Sequence, residues 1–140
     1  MTIARALPGL RPPTPHDQGY RWPAEWEPHQ ATWLAWPHDP TTFGEGLGEV
    51  ENAYLEMARA IGPGETVHVT GDAQTRKVAA RFAEARIPRA RVHAVSTRDA
   101  WIRDTGPIVV KRGRSRERLA LDFRFDAWSG KYPDLVDDDD

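Results

Sequence analysis

The chain has no cysteine, which removes disulfides, thiolate metal ligands and a cysteine nucleophile from the chemistry available to its 140 residues. Long apolar runs are missing too. No stretch approaches bilayer-spanning length, so no membrane partner is expected. Nor does charge of one sign dominate: the formal net charge of −2 gives no electrostatic reason to expect nucleic acid as a partner. GxGxxG and GxxxxGK[ST] patterns are absent, which leaves nucleotide binding without support. The five histidines, at 16, 29, 38, 68 and 93, have neither HxH nor HExxH spacing, so no metal is expected. The opening "MTIARALPGLRPPTPHDQGY" mixes a short apolar stretch with four prolines and does not read as a signal peptide. A cytoplasmic location is the default expectation.

Tryptophan is abundant, with six residues at 22, 26, 33, 36, 101 and 128. Such side chains either pack cores or form walls around flat or cationic ligands.

Residues 1–20 are proline-rich and aperiodic and read as an arm, leaving 21–140 as the folded part. "ATWLAW" (31–36) reads as a buried strand. In the next segment Val50, Ala53, Tyr54, Met57 and Ile61 recur at helical spacing before Gly62-Pro63-Gly64 stops the helix. "TVHVT" is a strand, and Asp72 is placed to cap a second helix with Val78, Ala79, Phe82 and Ala85 on one face. "ARVHAV" is a further strand, with Val92 and Val95 toward the core; His68 and His93, both in strands, read as packing residues. "PIVV" and "RLALDFRFD" flank the polar turn "KRGRSRE" as a hairpin, Leu119, Leu121, Phe123 and Phe125 alternating with polar or small residues. The order predicts an α/β fold with a mixed sheet rather than a purely parallel one, left open and incomplete. The basic turn and the four terminal aspartates read as solvated charge rather than ligand sites.

One stretch stands apart, "STRDAWIRDTGPIVV" (96–110). Asp104 precedes the turn former Thr105-Gly106-Pro107, and Trp101 lies three positions earlier. A carboxylate beside an aromatic face suits a planar cation, above all a guanidinium, which donates two parallel N–H bonds to the carboxylate. The alternative is structural: Asp104 caps the turn or pairs with Arg98 or Arg103.

Three blocks in order, "RWPAEWEPHQATWLAWPHDP" (21–40), "DAWIRDTGPIVV" (99–110) and "DFRFDAWSGKY" (122–132), resemble the agmatine deiminase family, related to bacterial peptidylarginine deiminases. The likeness covers roughly residues 20–140 and is to the N-terminal portion of the family pattern. It implies a pentein fold of five ββαβ-type modules around a pseudo-fivefold axis, of which this length supplies about two. It implies hydrolysis of agmatine to N-carbamoylputrescine and ammonia, a step towards putrescine, or of peptidyl-arginine to citrulline, without metal or organic cofactor. Asp104 matches the guanidinium-binding carboxylate and Trp101 the aromatic wall. Asp126 and Trp128 match positions near the substrate tail, although the family usually has asparagine at 126 and glycine at 129, where this chain has Asp126 and Ser129. The added charge at 126 would favour a cationic tail. The nucleophilic cysteine and catalytic histidine have no counterpart in this chain, which is expected to be inactive alone. It reads as a fragment whose partner is a missing C-terminal half. A guanidinium-binding or interaction module without catalysis, or a structural tryptophan-rich domain, are the competing expectations.

Overall fold

The computed structural model describes residues 11–71, 74–114 and 117–139. In chain order its elements are β1 (Tyr20–Arg21), β2 (Ala31–Ala35), α1 (Pro40–Phe43), α2 (Leu47–Ile61), β3 (Thr66–Thr70), α3 (Thr75–Glu84), β4 (Ala90–His93), the single turn α4 (Ile102–Thr105), β5 (Ile108–Arg112) and β6 (Arg118–Leu121). Parallel and antiparallel pairing both occur, divided between two three-stranded sheets. The chain forms two compact units: the residues up to Glu27 with Pro107–Asp122, and Pro28–Gly106 with the segment from Phe123 onward.

In the larger unit β2, β3 and β4 are parallel, with Val69 paired to both Leu34 and Val92. Alternation along β3 buries Val67 and Val69 completely, and α2 and α3 cover them with Leu55, Ala58, Val78 and Phe82. Trp36, directly after β2, closes this core with edge contacts to Phe82 at 5.8 Å and Tyr54 at 6.2 Å.

The buried stripe of α2 differs from the one its apolar spacing predicts. Glu51, Leu55 and Ala58 face inward, whereas Met57 is 41% exposed and Ala53 lies on the surface. A buried carboxylate is tolerated only where its charge is met. Glu51 accepts from Trp36 Nε1 at 3.3 Å, from Lys77 Nζ at 3.4 Å and from the Arg81 guanidinium, which also lies over the Trp36 ring. At the C-terminus of α2 glycine is required by space: a Cβ on Gly62 would sit 2.6 Å from the Pro88 carbonyl oxygen. The Asp72 cap lies outside the described residues. Ala79 of α3 is exposed, leaving Val78 and Phe82 as its buried positions.

The smaller unit is antiparallel, β1–β5–β6, with Ile108 paired to Leu121 and Lys111 to Arg118. The two-residue β1 was not expected; it pairs Tyr20 with Arg112 and Arg21 with Lys111. Glu27 ties down the loop after it, accepting from Arg21 at 2.6 and 2.8 Å, from the Ala24 amide at 2.9 Å and from Lys111. Arg21, Lys111 and that amide hold the Glu27 carboxyl far below the usual range. Trp22 and Trp26 in this loop are 61% and 90% exposed. Residues 14–19 form hydrogen-bonded turns, with Asp17 accepting from the Thr14 amide and hydroxyl.

The second strand of the hairpin is shorter than the alternation of "LALDFRF" predicts. It stops at Leu121, and Phe123 is 63% exposed. β5 begins only at Ile108, opposite Leu121, directly after Pro107, so residues beyond 121 have no strand of this hairpin to pair with. β4 likewise ends at His93, leaving Val95 47% exposed.

Candidate functional site

The stretch carrying Trp101 and Asp104 forms a short connection between β4 and β5. Asp99 closes its start by accepting from the Ala100 amide, and the neighbouring Tyr54 phenol is pushed above its usual range by burial and then by the Asp99 carboxylate. α4 follows, held by the Asp104 amide donating to Trp101 O at 2.9 Å and the Gly106 amide to Ile102 O at 2.8 Å. Glycine is needed at 106, because a Cβ there would lie 2.7 Å from the Ile102 carbonyl.

This one turn spaces Trp101 and Asp104 three residues apart, both exposed, Trp101 by 63%. Among the described residues the Asp104 carboxylate has no hydrogen bond or ion pair: it neither caps α4 nor pairs with Arg98 or Arg103. Arg98 instead donates to the Asp134 carbonyl at 2.7 Å. An exposed, unpartnered carboxylate retains all its acceptor positions for a planar donor.

Asp126 and Trp128 share a second turn. Asp126 Oδ1 accepts from the Ser129 amide at 2.8 Å, and the Gly130 amide donates to Asp126 O at 2.8 Å. Trp128 is half-exposed and meets Phe125 at 5.0 Å and Tyr132 at 5.7 Å, edge to face in each case. Among the described residues no hydrogen bond, ion pair or ring contact links these two side chains with Trp101 or Asp104.

A third cluster was read in sequence only as packing residues. On the sheet face opposite α2 and α3, His68 Nδ1 lies 2.7 Å from His93 Nε2. Their 4.9 Å centroid separation is about what one such contact plus two ring radii gives, so the rings meet edge to edge in nearly one plane. The Trp33 indole lies over both, 4.5 Å from His68 and 4.9 Å from His93. Burial, then the His93 and Arg91 charges, hold His68 below the ordinary histidine value. The unfolded chain therefore takes up this proton more readily. The stabilisation is complete above about pH 6.5 and is lost as pH falls from there through the lower folded value. Between about pH 7.5 and about pH 5.5 the thermal midpoint of the wild type is expected to fall further than that of His68→Phe, which keeps a ring beneath Trp33. Parallel melting curves for the two proteins would remove His68 from this role.

Comparison with known proteins identifies the family. The sequence profile of the Porphyromonas-type peptidyl-arginine deiminase family matches residues 21–140. Agmatine deiminase of Stutzerimonas stutzeri is 40% identical over 131 residues, covering 91% of this chain and 35% of that protein. Agmatine deiminase of Pseudomonas aeruginosa is 40% identical over 118 residues, 84% of this chain and 31% of its own length. Among solved structures, Enterococcus faecalis agmatine deiminase superposes with a TM-score of 0.72 at 31% identity, covering 91% of this chain and 36% of that one. An agmatine deiminase of C. jejuni with substrate bound gives 0.64 at 27% identity over 81% and 32% of the two chains. The chain thus spans about a third of the length of the relatives it matches. It supplies a portion of the pentein architecture, with one parallel and one antiparallel three-stranded sheet. With the match running from Arg21 to the last residue and taking in both tryptophan–aspartate turns, the chain belongs to the Porphyromonas-type peptidyl-arginine deiminase family.

Proposed function

We propose that the chain is the guanidinium-binding N-terminal part of a deiminase acting on agmatine, with Asp104 as the clamp and Trp101 as the wall. The observation that carries this reading is the exposed Asp104 carboxylate, without a partner among the described residues and one helical turn from an exposed indole. Agmatine is favoured over peptidyl-arginine because the full-length relatives at 40% identity are agmatine deiminases. Trp128, on its separate turn, would line the substrate tail.

A guanidinium is resonance-stabilised and a poor electrophile. Two parallel hydrogen bonds to one carboxylate fix its plane and leave its central carbon open to attack from a face. In the reaction the resemblance implies, a thiolate adds to that carbon, ammonia leaves, and water hydrolyses the amidino-thioether to the ureido product and the free thiolate. These 140 residues hold no cysteine, so the nucleophile has to come from a further portion of the protein or from another chain.

The test is calorimetric titration with three ligands that share a four-carbon chain and differ in head group: agmatine, putrescine and N-carbamoylputrescine. Agmatine is expected to bind at least about tenfold more tightly than the other two, since only it presents a cationic planar donor pair. No ammonia above the buffer blank is expected from any sample. Equal binding of putrescine would assign recognition to the amine tail. Absence of agmatine binding would return the loop to a structural role, and ammonia release would place a nucleophile within this chain.

A further inference from the structure

The segment after Asp126 adopts a conformation that its residues ordinarily avoid. Ala127 (φ 53°), Trp128 (φ 55°), Ser129 (φ 60°) and Gly130 (φ 74°) are all left-handed. For the three that carry a Cβ this is strained backbone, of the kind that persists only where its surroundings hold it and that gathers at ligand-binding positions. Besides the Gly130 amide bond to Asp126 O, three further holders are visible. The Ala127 methyl is completely buried, the Tyr132 amide donates to Ala127 O at 3.3 Å, and the Asp126 carboxylate accepts from the Ser129 amide at 2.8 Å. The last closes the turn around Trp128 and is its one side-chain hydrogen bond among the described residues. Trp128 in turn is wedged edge to face between Phe125 and Tyr132, so the orientation of its half-exposed indole follows the backbone of this turn.

We infer that Asp126 is a positioning residue: its carboxylate holds the left-handed turn 127–130 and so fixes Trp128, rather than contacting the cationic tail of a ligand. The inference rests on the reading of Trp128 as part of the substrate pocket. Its structural half stands without any ligand. Because the hydrogen bond needs an acceptor oxygen and no charge, asparagine can replace aspartate here and alanine cannot.

The experiment uses the 140-residue chain. Amide and indole resonances of residues 126–130, with the Trp128 indole assigned through Trp128→Phe, are compared in four proteins without ligand: wild type, Asp126→Asn, Asp126→Ala, and Asp126→Ala combined with Ser129→Gly. Asp126→Asn is expected to leave the Trp128 indole in place and Asp126→Ala to move it. Ser129→Gly is expected to restore it, since glycine takes up the left-handed conformation without strain. Apparent affinity falls with the fraction of chains whose turn is formed, so agmatine should bind Asp126→Asn within about twofold of wild type and Asp126→Ala about fivefold more weakly. An indole that moves equally in the Asn and Ala variants, or in neither, would overturn the inference. So would an Asn variant with an unchanged ligand-free spectrum that loses agmatine as fully as Ala, because that loss would be a direct charge contact. Global unfolding of Asp126→Ala would make the turn a general structural element and count against it equally. If the wild type binds no agmatine, the proposed function fails while the ligand-free spectra still decide whether Asp126 positions Trp128.

Discussion

Trp36→Ala is expected to lower the stability of the larger unit by roughly 3–5 kcal/mol, the usual cost of truncating a buried tryptophan. That is a large share of the roughly 5–15 kcal/mol that holds a typical domain together. Trp36 is 1% exposed and touches both helices that cover the parallel sheet. Its removal leaves a cavity bounded by Phe82, Tyr54 and the sheet. It also withdraws the Nε1–H donor from Glu51, a carboxylate that is 5% exposed. Arg81 and Lys77 remain to meet that charge, so the loss is mainly one of packing, with one buried hydrogen bond added. Urea titration followed by circular dichroism measures it. A midpoint shift equivalent to less than about 1 kcal/mol would mean that Trp36 is not the keystone of this core.

Much of this core was legible in the sequence, and the places where it was not have physical reasons. "TVHVT" announces a strand because Val67 and Val69 alternate with polar neighbours, and both are fully buried. The inward stripe of α2 was hidden because one of its members is Glu51, which any apolar count places outside. Donors distant in sequence, Arg81 and Lys77 of α3 together with the Trp36 indole, make it an inner residue. β1 was invisible because two residues carry no periodicity. Phe123 and Phe125 were read as strand because alternation does not report whether a partner strand extends that far.

The candidate site divides in the same way. Trp101 and Asp104 lie within one helical turn, so their proximity is local and readable. The left-handed turn at 127–129 is not, since alanine, tryptophan and serine give no sign of positive φ. His68 and His93 could each have been placed on the outer sheet face by alternation. That they meet depends on the register of parallel strands, Thr70 opposite His93, and no local pattern reveals it.

The central claim is that Asp104 is free to receive a guanidinium. A hydrogen bond to a charged group contributes about 1.5–3 kcal/mol, and a bidentate pair, stronger in geometry but weakened by solvent screening at an exposed surface, is taken within that same range. Asp104→Ala is therefore expected to weaken agmatine binding by roughly 10–100-fold. Asp104→Asn can offer one oxygen but sets an NH2 group against the other donor, so it is expected to recover little. Neither change should unfold the chain, because the carboxylate supports no hydrogen bond or ion pair among the described residues. The most direct measurement is the agmatine dissociation constant of wild type and Asp104→Ala, by calorimetry at low ionic strength, with circular dichroism confirming equal fold. The expected result is at least about tenfold weaker binding by the variant at unchanged secondary structure. Identical dissociation constants would contradict the assignment and leave this turn without a role in binding the ligand.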